Sequence, residues 1–285
     1  MPIWVWLLIA AAGLCFISMI VLGFFADKLL DNAVYGEPLK QGTPQSQDAI
    51  YERMMTEFLM SERSDDYFNA DDRESQVFLK NLQEISQEVI TLDPADQALM
   101  DKAIGELSEQ ENTDLRYRSE AAHALDFALG YVEFDINFDI WEADYFGTLE
   151  NEIPTTNWKA HRGRAKLRSE NELEIARRIC DAVMWRVDEE LFIRESDFFR
   201  AINSASSSGE DLRDIKRHLP ELDWHGNDFK INGMLTKEMS MSQLNVTYWV
   251  ALERWYALTW ALGYGDWKEH ENTLALRWLS EKPLE

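Results

Sequence analysis

The chain has 285 residues and a formal net charge of −24, with 28 Lys and Arg residues against 52 Asp and Glu residues. Hydrophobic residues make up 46% and aromatic residues 12%, which excludes a disordered acidic tail and predicts a folded body. A surface with this charge repels nucleic acid and anionic headgroups, and it attracts basic partners or cations. We therefore expect no nucleic-acid partner.

The N-terminal segment contains no charged side chain before Asp27, and the run from Ile3 to Ala26 is apolar. A run of this length crosses a hydrocarbon core of about 30 Å as a helix. Trp4 and Trp6 stand where an interfacial aromatic belt would place them. A cleavable signal peptide fits less well, because no basic residue precedes the run. We expect an uncleaved transmembrane anchor within residues 1–26, with the lipid bilayer as the partner of residues 3–26.

The orientation signal consists of Lys28 and Lys40, which follow the apolar run, whereas no basic residue precedes it. The positive-inside tendency then predicts a single-pass protein of the cell inner membrane with a cytoplasmic body. Residues 27–72 contain early Gly and Pro residues and a later charged stretch, and we expect a juxtamembrane connector there. One helix lies inside it, from Ile50 to Met60.

A first helical unit is predicted over residues 73–150. Apolar side chains recur there at spacings of three and four, which indicates one face of a helix: Phe78, Leu82, Ile85, Val89 and Leu92. Asp93 and Pro94 then open the next helix as its N-cap and first residue. A third helix ends at Gly130. The alternating residues that follow predict a short β-strand or hairpin near 131–140.

A second helical unit is predicted over residues 165–279, after a linker from Gly147 to Arg164. Ser169 and Glu172 form a capping box that opens its first helix. Ser240 and Gln243 form another, which opens a long helix ending at Gly263. The expected fold class is therefore mainly α, with two related helical units behind the membrane anchor.

Two helix ends look like copies of one another. Glu120 to Tyr131 has the sequence EAAHALDFALGY, and Glu253 to Tyr264 has the sequence ERWYALTWALGY, with seven of twelve positions identical. The preceding helices do not keep the same offset when Phe78 is compared with Leu173. If the two segments are copies, insertions have rearranged the duplication.

Several short motifs of the second half recur together: Arg168-Ser169-Glu170, Glu174-Ile175-Ala176-Arg177-Arg178, Leu235-Thr236-Lys237-Glu238 and Trp260-Ala261-Leu262-Gly263. On these motifs the chain resembles the bacterial family called domain of unknown function 4272. The resemblance covers residues of about 165–270, and more loosely 73–131. It implies a helical domain without an established activity.

Glu253 is the first candidate site residue, because it lies among the aromatic side chains of the last predicted helix. The predicted aromatic core consists of Trp249, Trp255, Tyr256 and Trp260. A carboxylate enclosed by such rings has a raised pKa and could act as a general acid or base. Alternatively, Glu253 forms a buried structural ion pair with Arg177 or Arg178, which is the interpretation that we favour.

Glu120 occupies the equivalent position in the first copy, with Arg118 close by. It is therefore the second candidate, either as a catalytic residue or as half of a structural pair with Arg118. Because a duplicated scaffold keeps fold-determining contacts more readily than chemistry, the recurrence favours structural pairs.

A possible metal site consists of His218, Asp223 and His225. Their spacing matches no metal-binding motif, and Pro220 and Gly226 indicate a polar loop instead. The sequence contains no phosphate-binding glycine loop, nucleophile elbow or paired CxxC motif, so we expect neither a metal nor a cofactor.

These features favour a membrane-anchored interaction module of the adaptor or toxin-neutralising type, whose partner is a protein and by charge a basic one. The alternative is an enzyme that uses Glu253 or Glu120 in a cleft between the helical units. The two hypotheses differ in the surroundings of the glutamate, which are an open polar pocket in an enzyme and a seal of arginine and tryptophan in an adaptor. A third hypothesis, an assembly factor acting through the membrane helix, is suggested by the small residues from Ala10 to Gly13.

Overall fold

A computed structural model of the chain describes residues 42–64, 73–138, 158–195, 208–265 and 267. The chain divides into two compact units, Met1–Gln41 and Gly42–Glu285, and all described residues belong to the second. The predicted membrane anchor and the two lysines used for its orientation lie outside the described residues. Within the described ranges, no helix is both long enough and apolar enough to cross a membrane.

The described residues are mainly helical, as the sequence predicts. The α-helices are α1 (Gln47–Glu62), α2 (Arg73–Val89), α3 (Pro94–Met100), α4 (Glu109–Ala128), α5 (Trp158–Arg162), α6 (Glu170–Glu195), α7 (Ser208–His218) and α8 (Met241–Ala261). A 3-10 turn covers Thr236–Glu238. Strands β1 (Asp223–His225) and β2 (Asp228–Lys230) form an antiparallel hairpin.

The helix starts follow the capping signals in the sequence. The Asp93 side chain accepts hydrogen bonds from the first backbone amides of α3 at 2.9 and 3.0 Å. Ser240 and Gln243 form a reciprocal capping box at the start of α8. Ser169 and Glu172 do the same at the start of α6, with the Ser169 amide 2.9 Å from the Glu172 carboxylate. These predicted starts are confirmed.

The core is built from four helices. Helices α4 and α8 pack side by side, α1 packs against α4, and α6 packs against α8. Fully buried side chains come from all four: Ile50, Met54, Ala124, Leu125, Cys180, Val187, Val250 and Leu258. The residues that touch each other have increasing numbers along both α4 and α8: Tyr117 packs on Trp249, and Glu120 binds Arg254. The two central helices are therefore parallel.

The expected connector over residues 27–72 contains α1, and this part of the prediction needs correction. Ile50 and Met54 of α1 have no exposed surface and lie in the same hydrophobic core as α4. A domain boundary at residue 72 would separate α1 from the helix that it packs against. Its side chains are buried on several faces, so the narrow apolar stripe that identifies a surface helix is missing from its sequence.

The two helices whose ends are similar in sequence also end in the same way in the structure. Helices α4 and α8 both end at a glycine in the left-handed conformation, Gly130 with φ 74° and Gly263 with φ 78°. Each of them packs against an earlier helix of the chain, α4 against α1 and α8 against α6, and these partners begin after Ser46 and Ser169. The sequence comparison of Phe78 with Leu173 compared α2 with α6, whereas the helices in matching positions are α1 and α6.

The short segments before α1 and α6 bind the ends of the central helices, and each binds the helix of the other half. We call them the lead segments; they are residues 42–46 and residues 165–169. The first binds the end of α8, with the Gly42 amide 2.8 Å from the Gly263 carbonyl. The second binds the end of α4, with the Lys166 amide 2.8 Å from the Leu129 carbonyl. Because α4 and α8 are parallel, both lead segments lie at one end of the body, which we call the entry end.

The segment predicted as a strand near 131–140 is not a strand where it is described, up to residue 138. Side chains bind its backbone carbonyls: Arg168 binds Val132 at 2.8 Å, and Arg254 binds Asp135 at 2.8 Å. In the predicted strand Ile136 and Phe138 would lie on the same buried face, but Ile136 is exposed while Phe138 is buried. The alternating pattern indicated a strand, but the backbone groups that a partner strand would use are taken by arginines.

We predict that Gly263→Ala and Gly130→Ala destabilise the protein much more than Gly105→Ala. All three glycines have a positive φ, so alanine is strained by about 1–3 kcal/mol at each. A Cβ at residue 263 would meet the Thr43 carbonyl and one at residue 130 would meet the Lys166 carbonyl at 2.5 Å, whereas residue 105 has nothing within 4 Å. Thermal unfolding of the full chain measures the difference. Equal losses in all three variants would contradict the packing role of the lead segments.

Candidate functional site

The most buried ion pair joins the two central helices. Arg254 of α8 donates to the Glu120 carboxylate of α4 from Nε at 2.8 Å, and its Nη2 lies 2.7 Å from the same oxygen. The Arg254 and Glu120 side chains are 4% and 11% exposed. Arg254 Nη1 also donates to the Asp135 and Asn137 carbonyls at 2.8 and 2.9 Å. Glu120 is therefore a structural residue, but its partner is Arg254 rather than the predicted Arg118.

The Arg118 side chain binds other acids. Its Nη1 lies 2.8 Å from Asp96 Oδ1 at the start of α3 and 3.8 Å from Glu57 Oε2 of α1. Glu57 also accepts a hydrogen bond from Arg53 at 2.9 Å. Both acids are almost completely buried. Burial raises the pKa of Glu57 in spite of the two arginines. The network is thus short of positive charge.

Glu253 belongs to the same region, and it has no arginine of its own. Among the described residues it makes neither a hydrogen bond nor an ion pair, and part of its surface stays accessible. Burial raises its pKa to about 8, with further increases from the charges of Glu57, Asp114 and Glu120 and an opposing effect of Arg118. At neutral pH this carboxyl group therefore holds a proton.

The predicted partners of Glu253 lie elsewhere, and this prediction needs correction. Arg177 donates to Glu174 at 3.0 Å and to Asp181 at 3.2 Å, while Arg178 donates to Glu174 at 2.8 Å. All these groups are on α6 itself, and the two members of each pair are three or four residues apart. Residues three and four positions apart are neighbours on a helix surface, so acids of α6 itself pair with the two arginines.

The aromatic side chains around Glu253 do form part of the core. Tyr256 is 3% exposed and Trp249 is 9% exposed, while Trp255 and Trp260 are partly buried. Tyr256 donates to the Trp267 carbonyl at 2.7 Å, and the Trp267 ring packs edge-on against Trp260. Tyr117 of α4 packs on Trp249 at 6.3 Å. The four aromatic residues of the predicted core lie within two turns of Glu253 on α8, and Trp249 and Tyr256 are buried.

A second polar cluster, which the sequence analysis missed, joins α1, α5 and the end of α4. Tyr51 Oη lies 3.2 Å from His161 Nδ1, and the Tyr131 ring stacks on the same imidazole at 4.2 Å. Burial lowers the pKa of His161 to about 4 and raises the pKa of Tyr51 to about 12. The imidazole is neutral and tied to both tyrosines, so its role is structural. The spacing of these residues gives no signal in the sequence.

The possible metal ligands are on the hairpin rather than in a loop. Asp223 and His225 belong to β1, and both are exposed, as is His218 at the end of α7. The neighbouring Asp228 binds Arg186 through both oxygens at 3.0 and 2.9 Å. Within the described part of the chain, no group of three His, Cys, Asp or Glu side chains is arranged to hold a metal ion.

Comparisons of the chain with family models, with curated proteins and with solved structures find no match.

We predict that Glu120→Gln lowers the free energy of unfolding by about 3–5 kcal/mol, because it leaves the buried Arg254 charge without its partner. The matched control is Glu84→Gln, which removes an exposed pair with Lys80 on α2 and should cost about 0.5 kcal/mol or less. Denaturant unfolding of the full chain measures both. A similar small loss in the two variants would mean that Arg254 is held by the backbone carbonyls and not by Glu120.

We predict that the stability of the protein falls as the pH rises from about 6.5 to about 8, and that Glu253→Gln removes most of this fall. The folded protein holds a proton on Glu253 up to a pKa of about 8, whereas an unfolded glutamate has lost it above 4.5. In that window each pH unit favours unfolding by up to roughly tenfold. Exposed Glu170→Gln is the control and should behave like the unchanged protein. The same pH dependence in all three proteins would show that Glu253 is ionised when folded.

Proposed function

We propose that this protein is a membrane-tethered interaction module whose acidic helical half binds a basic protein partner. The first half consists of the described residues from α1 to residue 138, and the second half of those from α5 onward. Among the side chains whose exposure the structure describes, ten exposed residues of the first half are acidic and two are basic, whereas five of the second half are acidic and eight are basic. This separation of charge is the observation that supports the proposal most directly.

The acidic surface of the first half includes Glu84 and Glu88 on α2, Asp101 after α3, and Glu106 and Glu109 at the start of α4. Opposite charge draws a basic partner to such a surface and speeds its association, and it disfavours acidic partners. The polar groups of the core, by contrast, are mostly engaged with each other. Arg254 and Glu120 join helices, which supports a scaffold rather than a reaction site.

The tether in this proposal is the apolar run of residues 3–26, with the body on the cytoplasmic side of the inner membrane. The likeness to the family of domain of unknown function 4272 is part of the same proposal and supplies no activity. An adaptor or a toxin-neutralising protein needs a stable, charged surface close to the bilayer, and a helical body with a polarised surface meets that need.

A second candidate function, an enzyme, is favoured by one observation. Glu253 is protonated at neutral pH, partly accessible and without a hydrogen-bond partner among the described residues, as a general acid would be. The arginine partner that the adaptor hypothesis predicts for Glu253 is missing among the described residues. An activity that Glu253→Gln abolishes, with unfolding unchanged at pH 6.5, would support the enzyme over the adaptor.

We predict that neutralising the acidic half weakens partner binding about tenfold, since exposed ion pairs contribute roughly 0.2–1 kcal/mol each. The variant replaces Glu84, Glu88 and Glu109 by Gln. The control replaces three exposed acids of the second half, with Glu170→Gln, Glu221→Gln and Asp223→Asn. Basic proteins retained by the full chain in detergent are quantified by mass spectrometry at low and high salt. Equal retention by both variants would contradict a partner site on the acidic half.

A further inference from the structure

The entry end of the body carries a basic segment in an otherwise acidic chain. Residues 158–168 have the sequence WKAHRGRAKLR, which contains five Lys or Arg residues and no acidic one. They include α5 and the lead segment before α6. Lys159, Arg164 and Lys166 are exposed, and Leu167 beside them keeps 41% of its surface accessible.

The basic segment is fixed to the core and not a loose loop. The Lys166 amide binds the Leu129 carbonyl at 2.8 Å, and the Arg168 amide binds the Ala128 carbonyl at 2.9 Å. The Tyr131 hydroxyl donates to the His161 carbonyl at 2.7 Å. These bonds attach it to the end of α4, so its exposed side chains stand on a defined surface.

Its five basic residues fall into two groups. Arg162 lies 2.8 Å from Asp48 and 3.3 Å from Glu52, both on α1. Arg168 lies 3.1 Å from Glu133 and 3.2 Å from Glu172.

The second group, Lys159, Arg164 and Lys166, makes no ion pair within the described residues. Lys159 instead lies over the Trp158 ring, at 5.2 Å from its centroid. These three cations are therefore available to an external anion.

The chain enters the body at this same end. The Gly42 amide binds the Gly263 carbonyl at the end of α8, and Lys166 binds at the end of α4. Because these central helices are parallel, Gly42 and the basic segment share the entry end. Glu106 and Glu109, at the start of α4, belong to the opposite end.

We propose that Lys159, Arg164 and Lys166 of the entry end, with Leu167 and Trp158, form a contact surface for the anionic phospholipid headgroups of a bilayer. The proposal rests on the tether in the proposed function. Lysine and arginine bind lipid phosphates, and each basic residue near an anionic surface strengthens the contact roughly fivefold. A leucine and a tryptophan beside the cations suit the boundary between headgroups and acyl chains.

This surface orients the body on the membrane. With the entry end against the headgroups, the acidic first turn of α4 and the residues before it point away from the bilayer, where a basic partner in solution can reach them.

The test is a footprint of lysine reactivity on the full chain in nanodiscs. Discs of phosphatidylcholine alone are compared with discs that also contain phosphatidylglycerol, and acetylation of each lysine is followed by mass spectrometry. We expect Lys159 and Lys166 to react roughly fivefold more slowly in the anionic discs. Lys80, whose side chain is 74% exposed on α2, and Lys237 in the second half should not change.

Two further arms sharpen the result. Arg164→Gln should weaken the protection of both lysines, whereas Arg178→Gln, which removes an exposed arginine bound to Glu174 on α6, should leave it unchanged. Raising the salt from about 0.05 to about 0.5 M should remove the protection, because the Debye length falls several-fold.

Three outcomes would overturn the proposal. Equal lysine reactivity in both kinds of disc, with the chain present in them, would refute the headgroup contact and leave the tether intact. A chain that does not stay with the discs at all would refute the tether and the headgroup contact together. Protection in phosphatidylcholine discs by inorganic phosphate or by a short DNA duplex, equal to that by phosphatidylglycerol, would assign the cations to another anion.

Discussion

The buried guanidinium of Arg254 is the polar connection between α8, α4 and the segment after α4. It binds the Glu120 carboxylate on α4 and the carbonyls of Asp135 and Asn137 in the segment after α4. Since a buried charge without its partner is costly, the segment and α4 have to stay where they satisfy this side chain. The hydrophobic contacts between α4 and α8, with α1 packed on α4 and α6 packed on α8, surround this connection and exclude water from it.

The helical elements could be predicted from the sequence wherever a local signal sets them. The Asp93 cap, the Ser169 and Ser240 capping boxes and the terminal Gly263 each act within a few residues, and each is found in the structure. The hairpin at 223–230 was missed because strands of three residues are too short to show a period. The false strand near 131–140 had the period but lacked a partner strand, and long-range arginine contacts decide its conformation.

In the candidate site, too, the sequence predicts what depends on nearby residues and does not predict what depends on other helices. The buried aromatic residues Trp249 and Tyr256 could be predicted, since they follow from the pattern of one helix. The charge environment of Glu253 could not, because it comes from α1 and α4. Arg118 is occupied by Asp96 and Glu57, so Glu253 makes no ion pair within the described residues, whereas Glu120 has Arg254. In the two similar segments of the sequence, Arg254 corresponds to Ala121, so the arginine that pairs with Glu120 has no counterpart beside Glu253.

Net charge alone predicts that the body is repelled from anionic headgroups, and the distribution of the charges changes this expectation. Helix α4 has 20 residues, so its two ends are about 30 Å apart. At physiological ionic strength the Debye length is about 8 Å, and the acids at the far end of α4 are screened from any surface that touches the entry end. The side chains at the entry end include the acids Asp48, Glu52 and Glu133, which pair with Arg162 and Arg168 of the basic segment. Lys159, Arg164 and Lys166 have no acidic partner in the described structure, so in the proposed arrangement these three cations meet the headgroups while the acids at the far end face a partner in solution.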